Sequence, residues 1–311
     1  MVDLTVAVLT YRRNADLAEL LPLLLRELDG AAARLPGGGD VLVVDNDPEG
    51  GARAVVDAVG DARARYVVEP TPGIAAARNR ALDESSDAAL LAFIDDDERP
   101  VAGWLEALVE TSREYSAAAV TGPVESMFDG ELDPWIAAGG FYRRPHTANL
   151  TTGRSMPAAA TNNVLLDLRV VRDRGLRFNV SLGMAGGEDT LFTRQLIASG
   201  ARIVWCSEAK VTDRVPRERM TRRYVLRRMY GLANSSTLVD LALSAPGARG
   251  AVRRVRLGLV GAARVVGGGA RALVGIALRR RSDEARGCAV AARGLGAVVA
   301  VLGHRHEQYR R

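Results

Sequence analysis

Four consecutive acidic residues, 95–98, follow an apolar run in the stretch LLAFIDDDERP (90–100). Two carboxylates about 5 Å apart repel each other by roughly 3 kcal/mol at an effective dielectric constant of about 20. The cluster therefore needs counter-charge, from a cation or from solvent. Carboxylate pairs at a strand end suit Mg²⁺ or Mn²⁺, which take further oxygens from substrate phosphates. This chemistry predicts a nucleotide diphosphate as ligand, and a solvated acidic turn is the alternative.

The spacing of these acids predicts which of them act together. On a strand, residues two apart face the same side. If the strand continues through the acids, Asp95 and Asp97 point into one crevice and Asp96 turns away. We therefore expect Asp95 and Asp97, and not Asp96, at the candidate metal site.

The first hundred residues contain the elements that must position these acids. Short apolar runs alternate with helical patterns, which predicts βαβ units and a mainly parallel sheet. The predicted strands are 4–11, 40–47, 64–70 and 89–97, with helices at 15–28, 51–59 and 73–85. Ligands of such open sheets bind beyond the carboxyl ends of the strands. Thr10, Asp45, Glu69 and Asp95 lie at those ends.

The next hundred residues are less regular. A helix is predicted at 104–115, a strand at 117–126, a strand turning into a helix at 161–175, a helix at 186–200 and a closing strand at 201–213. Residues 127–160, rich in Pro and Gly, are predicted to form an irregular loop over a cleft.

Six stretches, in order, resemble the inverting glycosyltransferases of family 2. They are VAVLTYRRNADLAELLPLLL (6–25), VLVVDNDP (41–48), EPTPGIAAARNRAL (69–82), LLAFIDDDERPVAGWLEAL (90–108), TNNVLLD (161–167) and GGEDTLFTRQLIASGARIVW (186–205). The resemblance implies the GT-A fold, a Rossmann-like α/β nucleotide-diphospho-sugar transferase fold. It also implies a hexosyltransferase with a UDP-, GDP- or dTDP-sugar donor and Mn²⁺ or Mg²⁺ as cofactor.

The same resemblance implies roles for individual residues in donor binding. Thr10 and Tyr11 lie where the family holds the base, and Asp45 and Asn46 match the pair that contacts base and ribose. The remaining implied contacts are Arg78 with the diphosphate, Asp95 with ribose or metal, and Asp97 with the metal. Arg78 suits a diphosphate as a fork of donors, although a helical arginine on a solvated face is the alternative.

The acidic pair Glu188-Asp189 is implied to contain the general base, and Asp189 is the residue we expect to take the proton from the acceptor hydroxyl. The alternative is that both acids only stabilise a helix start after Gly186-Gly187. The resemblance also implies that Asn163 lies near the donor sugar. Trp135 lies in the predicted loop over the cleft, and we expect it to contact the acceptor sugar. The Gln-x-x-Arg-Trp motif of processive members does not follow the pair, which favours a non-processive enzyme of bacterial type.

Charge divides the chain into two parts. Up to Asp213 there are 21 Lys and Arg against 32 Asp and Glu, and beyond it 21 against 5. We expect a GT-A catalytic domain over 1–215, with its nucleotide-binding part at about 1–100 and its acceptor part at about 101–215. An Arg-rich helical extension is expected over 216–311. High arginine content from base composition explains the choice of Arg over Lys but not this asymmetry.

Apolar stretches of the extension, 255–278 and 287–303, are interrupted by Arg264, Arg271 and Arg293. Arginine at a bilayer centre costs roughly 3 kcal/mol, so the pattern favours helices lying on an anionic membrane surface over helices that cross it. A helical hairpin packed on the catalytic domain is the alternative. Two distant cysteines and an N-terminus without a signal-peptide pattern predict a cytoplasmic protein, peripheral at the inner face of the membrane.

The sequence therefore predicts a metal-dependent inverting glycosyltransferase that acts on a lipid-linked saccharide or a cell-surface polysaccharide precursor. A non-catalytic nucleotide-sugar-binding scaffold and an RNA-binding protein are the alternatives. The scaffold alternative is disfavoured because Asp97 and Asp189 are both present. The RNA-binding alternative is disfavoured because the tail has few aromatic residues to stack on bases, so we expect no nucleic-acid partner.

Overall fold

The computed structural model describes residues 2–143, 147, 149–182 and 184–306. The chain forms two compact units: the first comprises 1–125, 145–183 and 189–213, and the second 126–144, 184–188 and 214–311. The second unit takes in 126–144 and 184–188, which the sequence-based division assigned to the catalytic domain.

The strands of the described residues are, in chain order, β1 (Leu4–Thr10), β2 (Gly39–Asp45), β3 (Ala64–Val68), β4 (Leu90–Asp95), β5 (Glu98–Pro100), β6 (Ala119–Thr121), β7 (Val124–Phe128), β8 (Asn163–Asp167), β9 (Ile203–Trp205) and β10 (Val211–Val215). Seven of them form one sheet in the first unit, in the order β3-β2-β1-β4-β8-β6-β9. Only β8 runs antiparallel to its neighbours β4 and β6. This sheet confirms the predicted mainly parallel α/β fold.

The helices of the described residues are α1 (Asn14–Gly30), α2 (Arg53–Asp57), α3 (Ile74–Glu84), α4 (Trp104–Glu114), α5 (Pro134–Gly139), α6 (Leu168–Asp173), α7 (Glu188–Ala198), α8 (Arg222–Ala242), α9 (Ala248–Ala277) and α10 (Arg281–Val301). Alternate residues of β1 enter different apolar clusters: Val6 and Val8 pack with Leu21 of α1, and Ala7 packs with Ala77 of α3. Both faces of the sheet are therefore covered, which explains why its strands are apolar throughout.

The stretches predicted as single strands at 117–126 and 201–213 are each two short strands. Their interruptions meet at one place, where a side chain on Gly122 would collide with the carbonyl oxygen of Ala209. Only glycine permits so close an approach of two backbones. The predicted loop over 127–160 also contains regular structure, since β7 ends at Phe128 and α5 begins at Pro134. The carboxylate of Asp133 caps α5 by accepting from the amide of Trp135 at 2.7 Å.

Three long helices dominate the second unit and confirm the predicted helical extension. Helices α9 and α10 meet along glycines spaced seven residues apart, which fall on one face of each helix. These glycines are Gly261, Gly268 and Gly275 of α9, and Gly287 and Gly294 of α10. On its other side α10 contacts α8, because Gly296 lies directly against the carbonyl group of Tyr230.

The glycine seam can be tested with two adjacent residues. A Cβ atom on Gly268 would lie 2.5 Å from the backbone nitrogen of Ala291, whereas one on Gly267 would meet nothing within 4 Å. We expect Gly268→Ala to destabilise the protein by about 1–3 kcal/mol, because the helices must separate. Gly267→Ala should be neutral or stabilise it by up to about 1 kcal/mol through helix propensity. Urea unfolding followed by circular dichroism measures both, and equal effects of the two variants would exclude close packing at this seam.

Candidate functional site

Polar residues of three neighbouring strands meet at the carboxyl edge of the sheet. Strand β1 lies between β2 and β4, and their parallel registers place Thr10 opposite Asp45 and Leu9 opposite Asp95. The residues that follow these strand ends therefore share one edge, as expected for a ligand site in an open α/β sheet.

The acidic run leaves the sheet earlier than the sequence pattern indicated. Strand β4 ends at Asp95, and Asp96 and Asp97 form a turn before β5. The prediction that Asp96 points away from its neighbours is wrong, because the alternation of side chains holds only while the backbone stays extended. Asp96 instead accepts a hydrogen bond from the hydroxyl of Thr10 at 2.9 Å. It thereby joins the end of β1 to the acidic turn.

Arg13 supplies counter-charge to this turn. Its Nη1 atom lies 2.8 Å from Asp96 Oδ1 and 2.8 Å from Asp97 Oδ2. Burial raises the pKa of Asp96, and the charge of Arg13 opposes that rise. The side chain of Asp97 is 16% exposed and that of Arg13 is 38% exposed, so the pair lies at the solvent side of the cluster. Arg13 is not among the site residues predicted from the sequence.

Arg78 is buried beside Asp95. Only 4% of Arg78 is exposed, which excludes the alternative of a solvated helical arginine. Burial raises the pKa of Asp95 to about 7, although the charge of Arg78 opposes the rise. The guanidinium carbon of Arg78 also lies 5.7 Å from the ring centroid of Phe178, and that ring stacks on Phe192 of α7 at 4.2 Å. The positively charged guanidinium of Arg78 thus acts on the end of β4, where it suits a diphosphate ligand.

Glu98 is a second buried charge at this edge that is not among the predicted site residues. It is 2% exposed, and its carboxylate accepts from Asn162 Nδ2 at 2.6 Å and from the amide of Asp95 at 3.3 Å. Burial raises the pKa of Glu98 well above the usual range, and the nearby Asp95 adds to this. A negative charge on Asp95 therefore disfavours ionisation of Glu98. In the sequence, the only sign that Glu98 belongs to the site is its position in the acidic run 95–98.

Asp45 and Asn46, the expected base and ribose contacts, organise backbone at the end of β2. Asp45 is fully buried and accepts from the amide of Ala52 at 2.9 Å and the hydroxyl of Tyr66 at 2.8 Å. Asn46 Nδ2 donates to the carbonyl groups of Glu69 and Thr71. These bonds fix the loop that leads into α3, which carries Arg78. Their contact with a nucleotide stays a prediction.

The loop after β1 reaches towards both neighbouring strands. Arg12 has a φ of 56°, unusual for a residue other than glycine, and its Nε lies 2.8 Å from Asp47 Oδ2 beyond β2. The guanidinium carbon of Arg12 is 5.2 Å from the ring centroid of Tyr11, an expected base contact. Arg13, the next residue, turns to the acids beyond β4. Two consecutive arginines thus pair with carboxylates on both sides of β1 at the candidate nucleotide edge.

Glu188 and Asp189 begin α7. The two residues before them, Gly186 and Gly187, have φ values of 77° and 90°, a left-handed backbone that favours glycine. Glu188 is 2% exposed. Asp189 is partly exposed and accepts from the amide and hydroxyl of Thr190. Asp189 is thus the more accessible carboxylate of the two, and its role as general base stays a prediction.

The two expected sugar contacts are engaged elsewhere. Asn163 is 1% exposed, accepts from Trp104 Nε1 at 2.8 Å and donates to the carbonyl of Ala209 at 2.8 Å. Trp135 is 3% exposed in α5, where its ring lies 5.4 Å from that of Phe141. The loop assigned to Trp135 is a helix whose apolar side is buried. We therefore propose neither residue as a sugar contact.

The donor set of the acidic turn fits a hard divalent cation only in part. Within the described ranges, no group of three or more His, Cys, Asp or Glu side chains is arranged to hold a metal ion. Mg²⁺, however, binds enzymes through one or two carboxylates and completes its shell with water and substrate phosphate. Asp97, with its solvent-accessible carboxylate, and the adjacent Asp95 would provide those oxygens.

Comparison with known proteins gives one family. Residues 5–170 match the model of the family described as Glycosyl transferase family 2. The succinoglycan biosynthesis protein ExoM of Rhizobium meliloti (strain 1021) is 35% identical over 232 residues, which cover 74% of this chain and 72% of ExoM.

Solved structures with low sequence identity share the fold. The S. aureus TarS 1-349 structure in complex with UDP-GlcNAc has a TM-score of 0.54 and 16% identity, and covers 81% of this chain and 69% of that one. The chain spans only 41% of a longer TarS chain. GalNAc-T7 with UDP, GalNAc and Mn²⁺ has a TM-score of 0.54 and 11% identity, over 76% of this chain and 51% of that one. These likenesses confirm the GT-A fold.

The raised pKa of the half-buried Asp95 carboxyl predicts a pH-dependent stability. Its pKa is about 7 in the folded protein against an ordinary value of 3.8. The folded protein therefore keeps a proton that the unfolded chain releases, and stability falls as pH rises from about 4 to about 7. Without donor or metal, Asp95→Asn should be more stable than wild type at pH 8, by on the order of 1 kcal/mol. Below pH 4 this difference in ionisation should vanish.

Urea unfolding at pH 4, 6 and 8 in a chelating buffer measures this effect. The matched control is Asp87→Asn, which changes an exposed aspartate and should follow the wild-type pH profile. A constant difference between wild type and Asp95→Asn at every pH would show that burial of the Asp95 charge is not costly.

Proposed function

Because the chain belongs to glycosyltransferase family 2 and is a glycosyltransferase, we propose that it transfers a sugar from a nucleotide diphosphate to an acceptor hydroxyl, with inversion at the anomeric carbon. The supporting observation is the charge arrangement at the carboxyl edge of the sheet. Buried Arg78 lies beside Asp95, and Arg13 pairs with Asp96 and Asp97. Arginines at such an edge can donate to the diphosphate, and the carboxylates can bind the ribose or a cation.

The donor would bind along the ends of β1, β2 and β4. Thr10 and Tyr11 would contact the base, and Asp45 and Asn46 would define the base and ribose pocket. Arg78 would donate to diphosphate oxygens from a site where burial strengthens charge-assisted hydrogen bonds. Neighbours that share the fold support this assignment, since one TarS structure holds UDP-GlcNAc and another holds UDP.

Asp189 would act as general base. Its carboxylate would accept the proton of the acceptor hydroxyl while that oxygen forms a bond to the anomeric carbon. The bond between the anomeric carbon and the diphosphate oxygen breaks on the opposite face, and the electron pair leaves with the nucleotide diphosphate. The hydrogen bonds from Thr190 would orient the carboxylate for this task.

The cofactor in this proposal is Mn²⁺ or Mg²⁺. Asp97 would hold it, with Asp95 as the second carboxylate, and when bound it would neutralise the charge that develops on the leaving diphosphate. The GalNAc-T7 structure contains Mn²⁺, which supports a metal site on this fold. Arg13 would release the Asp97 oxygen that it contacts or share it with the cation.

The acceptor would be a lipid-linked saccharide or another precursor of a cell-surface polysaccharide. ExoM is described as a succinoglycan biosynthesis protein, and the chain shares 35% of its residues with ExoM over the aligned region. The concentration of 21 basic residues after Asp213, against 5 acidic ones, supports a peripheral position at the inner face of an anionic membrane. An enzyme held there would meet lipid-linked acceptors directly.

Donor use and metal dependence can be tested together. A panel of UDP-, GDP- and dTDP-sugars should contain one that raises the melting temperature, because a ligand of the folded state stabilises it by mass action. Slow hydrolysis of that donor should require added Mn²⁺ or Mg²⁺ and fall at least tenfold in excess chelator. The matched variant is Asp97→Asn, with Asp87→Asn as control. Undiminished turnover in chelator would exclude the metal role.

The general base can be tested separately from donor binding. Asp189→Asn should lower sugar transfer by at least 100-fold, because removal of a general base typically costs about 10²–10⁴ in rate. Its donor affinity, measured by calorimetry, should stay within about twofold of wild type. Asp57→Asn, at an exposed residue, controls for loss of charge. Full activity of Asp189→Asn would remove Asp189 as the base and leave the donor site unaffected.

A further inference from the structure

Helix α9 has one buried face, which contacts α10. The residues of this face are small, because the two backbones approach closely at Gly261, Gly268 and Gly275. In α9 the buried residues are confined to these three and Ala272. The closest approach to α10 therefore uses the small-residue face, and Arg254 and Arg271 add polar contacts to α10.

The opposite face of α9 is apolar and exposed. Its members recur at intervals of three, four or seven residues and so form one strip along the helix. They are Val252, Val255, Leu259, Val266 and Leu273, with exposed fractions between 62% and 73%. Apolar surface of this extent on a soluble domain commonly marks a site of interaction.

Four arginines lie on the flank of α9 between this strip and the face that contacts α10, with Arg264 nearest to α10. Arg249, Arg256, Arg264 and Arg271 are spaced by seven or eight residues, so they project from neighbouring positions around the helix. Arg271 pairs with Asp283 at 2.8 Å. In the part of the chain that the structure describes, Arg249, Arg256 and Arg264 form no ion pair and are exposed. The exposed surface of α9 thus combines an apolar strip with a positive edge.

We propose that this face of α9 is the membrane-binding surface of the protein, and that it lies flat on an anionic lipid leaflet. The apolar strip would enter the boundary between headgroups and acyl chains, and the arginines would reach the lipid phosphates. This inference gives a defined surface to the peripheral association proposed above. It does not depend on sugar transfer.

A crossing orientation disagrees with the packing of α9. Its length and composition are sufficient for a membrane span. However, α10 follows α9 along the glycine seam and would have to enter the bilayer with it, together with Asp283, Glu284 and Arg293. Burial of these charges in hydrocarbon costs roughly 3 kcal/mol for each residue. Parallel to the surface, α9 buries its apolar strip and leaves the charges of α10 outside the hydrocarbon.

A second copy of the chain is a less suitable occupant of the face. A two-fold symmetric contact pairs the same surface of both copies. The strip would be covered, but Arg249, Arg256 and Arg264 of both copies would then border one interface, where the described part of α9 offers no acid to neutralise them. An anionic leaflet matches the apolar and the charged parts of the surface at once.

Vesicle flotation with the full chain tests the charged edge. Wild type should bind phosphatidylglycerol vesicles and bind neutral phosphatidylcholine vesicles far less. The triple variant Arg249→Gln, Arg256→Gln, Arg264→Gln should bind anionic vesicles about 100-fold less tightly, since each basic residue contributes about fivefold near such a surface. The matched control removes three exposed arginines of the first unit, by Arg26→Gln, Arg174→Gln and Arg202→Gln, and should keep most of the affinity.

The apolar strip needs its own variant. Leu259→Gln with Leu273→Gln should weaken binding to both kinds of vesicle at least tenfold, and Val180→Gln, at a residue 63% exposed in the first unit, should not. Circular dichroism and donor binding, measured on every variant, separate loss of the surface from loss of the fold.

Depth measurements distinguish a flat helix from a crossing one. Val252→Trp, Val266→Trp and Leu273→Trp place a fluorophore near the start, middle and end of the strip. Lipids brominated at shallow positions should quench all three equally. Stronger quenching of the middle position by deeply brominated lipid would show a crossing helix and overturn the proposal. Failure of wild type to bind anionic vesicles would also overturn the proposal, whether sedimentation shows a monomer or a dimer.

Discussion

The pairing of one guanidinium with two carboxylates makes the acidic edge of the sheet possible. Asp96 and Asp97 follow a buried strand, and their mutual repulsion would open the turn unless a cation lay between them. Arg13 Nη1 is 2.8 Å from both. With Arg78 buried beside Asp95, the free protein already contains part of the counter-charge that the acidic run requires. If a donor or metal ion binds as proposed, it would enter a site whose electrostatics are preorganised and would have to compete with or share those contacts.

Strand order explains why this arrangement arises. Because β1 lies between β2 and β4, the two residues Arg12 and Arg13 can turn to opposite sides, towards Asp47 and towards Asp96 and Asp97. Periodicity in the sequence identifies strands, but it does not say which strands are neighbours. The sequence shows each group as a charge cluster. It could not show that these arginines pair with acids distant in the chain.

Sequence reasoning succeeded where a signal is local. The apolar strands, the helices that follow them and the glycine pair before α7 were predictable from periodicity and backbone chemistry. It failed where tertiary contact decides the structure. The breaks in two predicted strands depend on the approach of Gly122 to Ala209. The burial of Asn163 depends on its bond to Trp104, and the partners of Asp96 depend on a turn that replaces the expected end of β4.

The distribution of charge differs sharply between the two parts of the chain. Acids outnumber basic residues by 32 to 21 up to Asp213, and several of the arginines there pair with carboxylates, as at the carboxyl edge of the sheet. Beyond Asp213 the ratio reverses to 21 basic residues against 5 acidic ones, so most of those arginines have no acid available within their own segment. Because of the glycine spacing, one face of α9 packs on α10, and its apolar strip and arginines remain exposed. The apolar strip is costly to expose to water, and an anionic leaflet would bury it while lipid phosphates attract the arginines beside it.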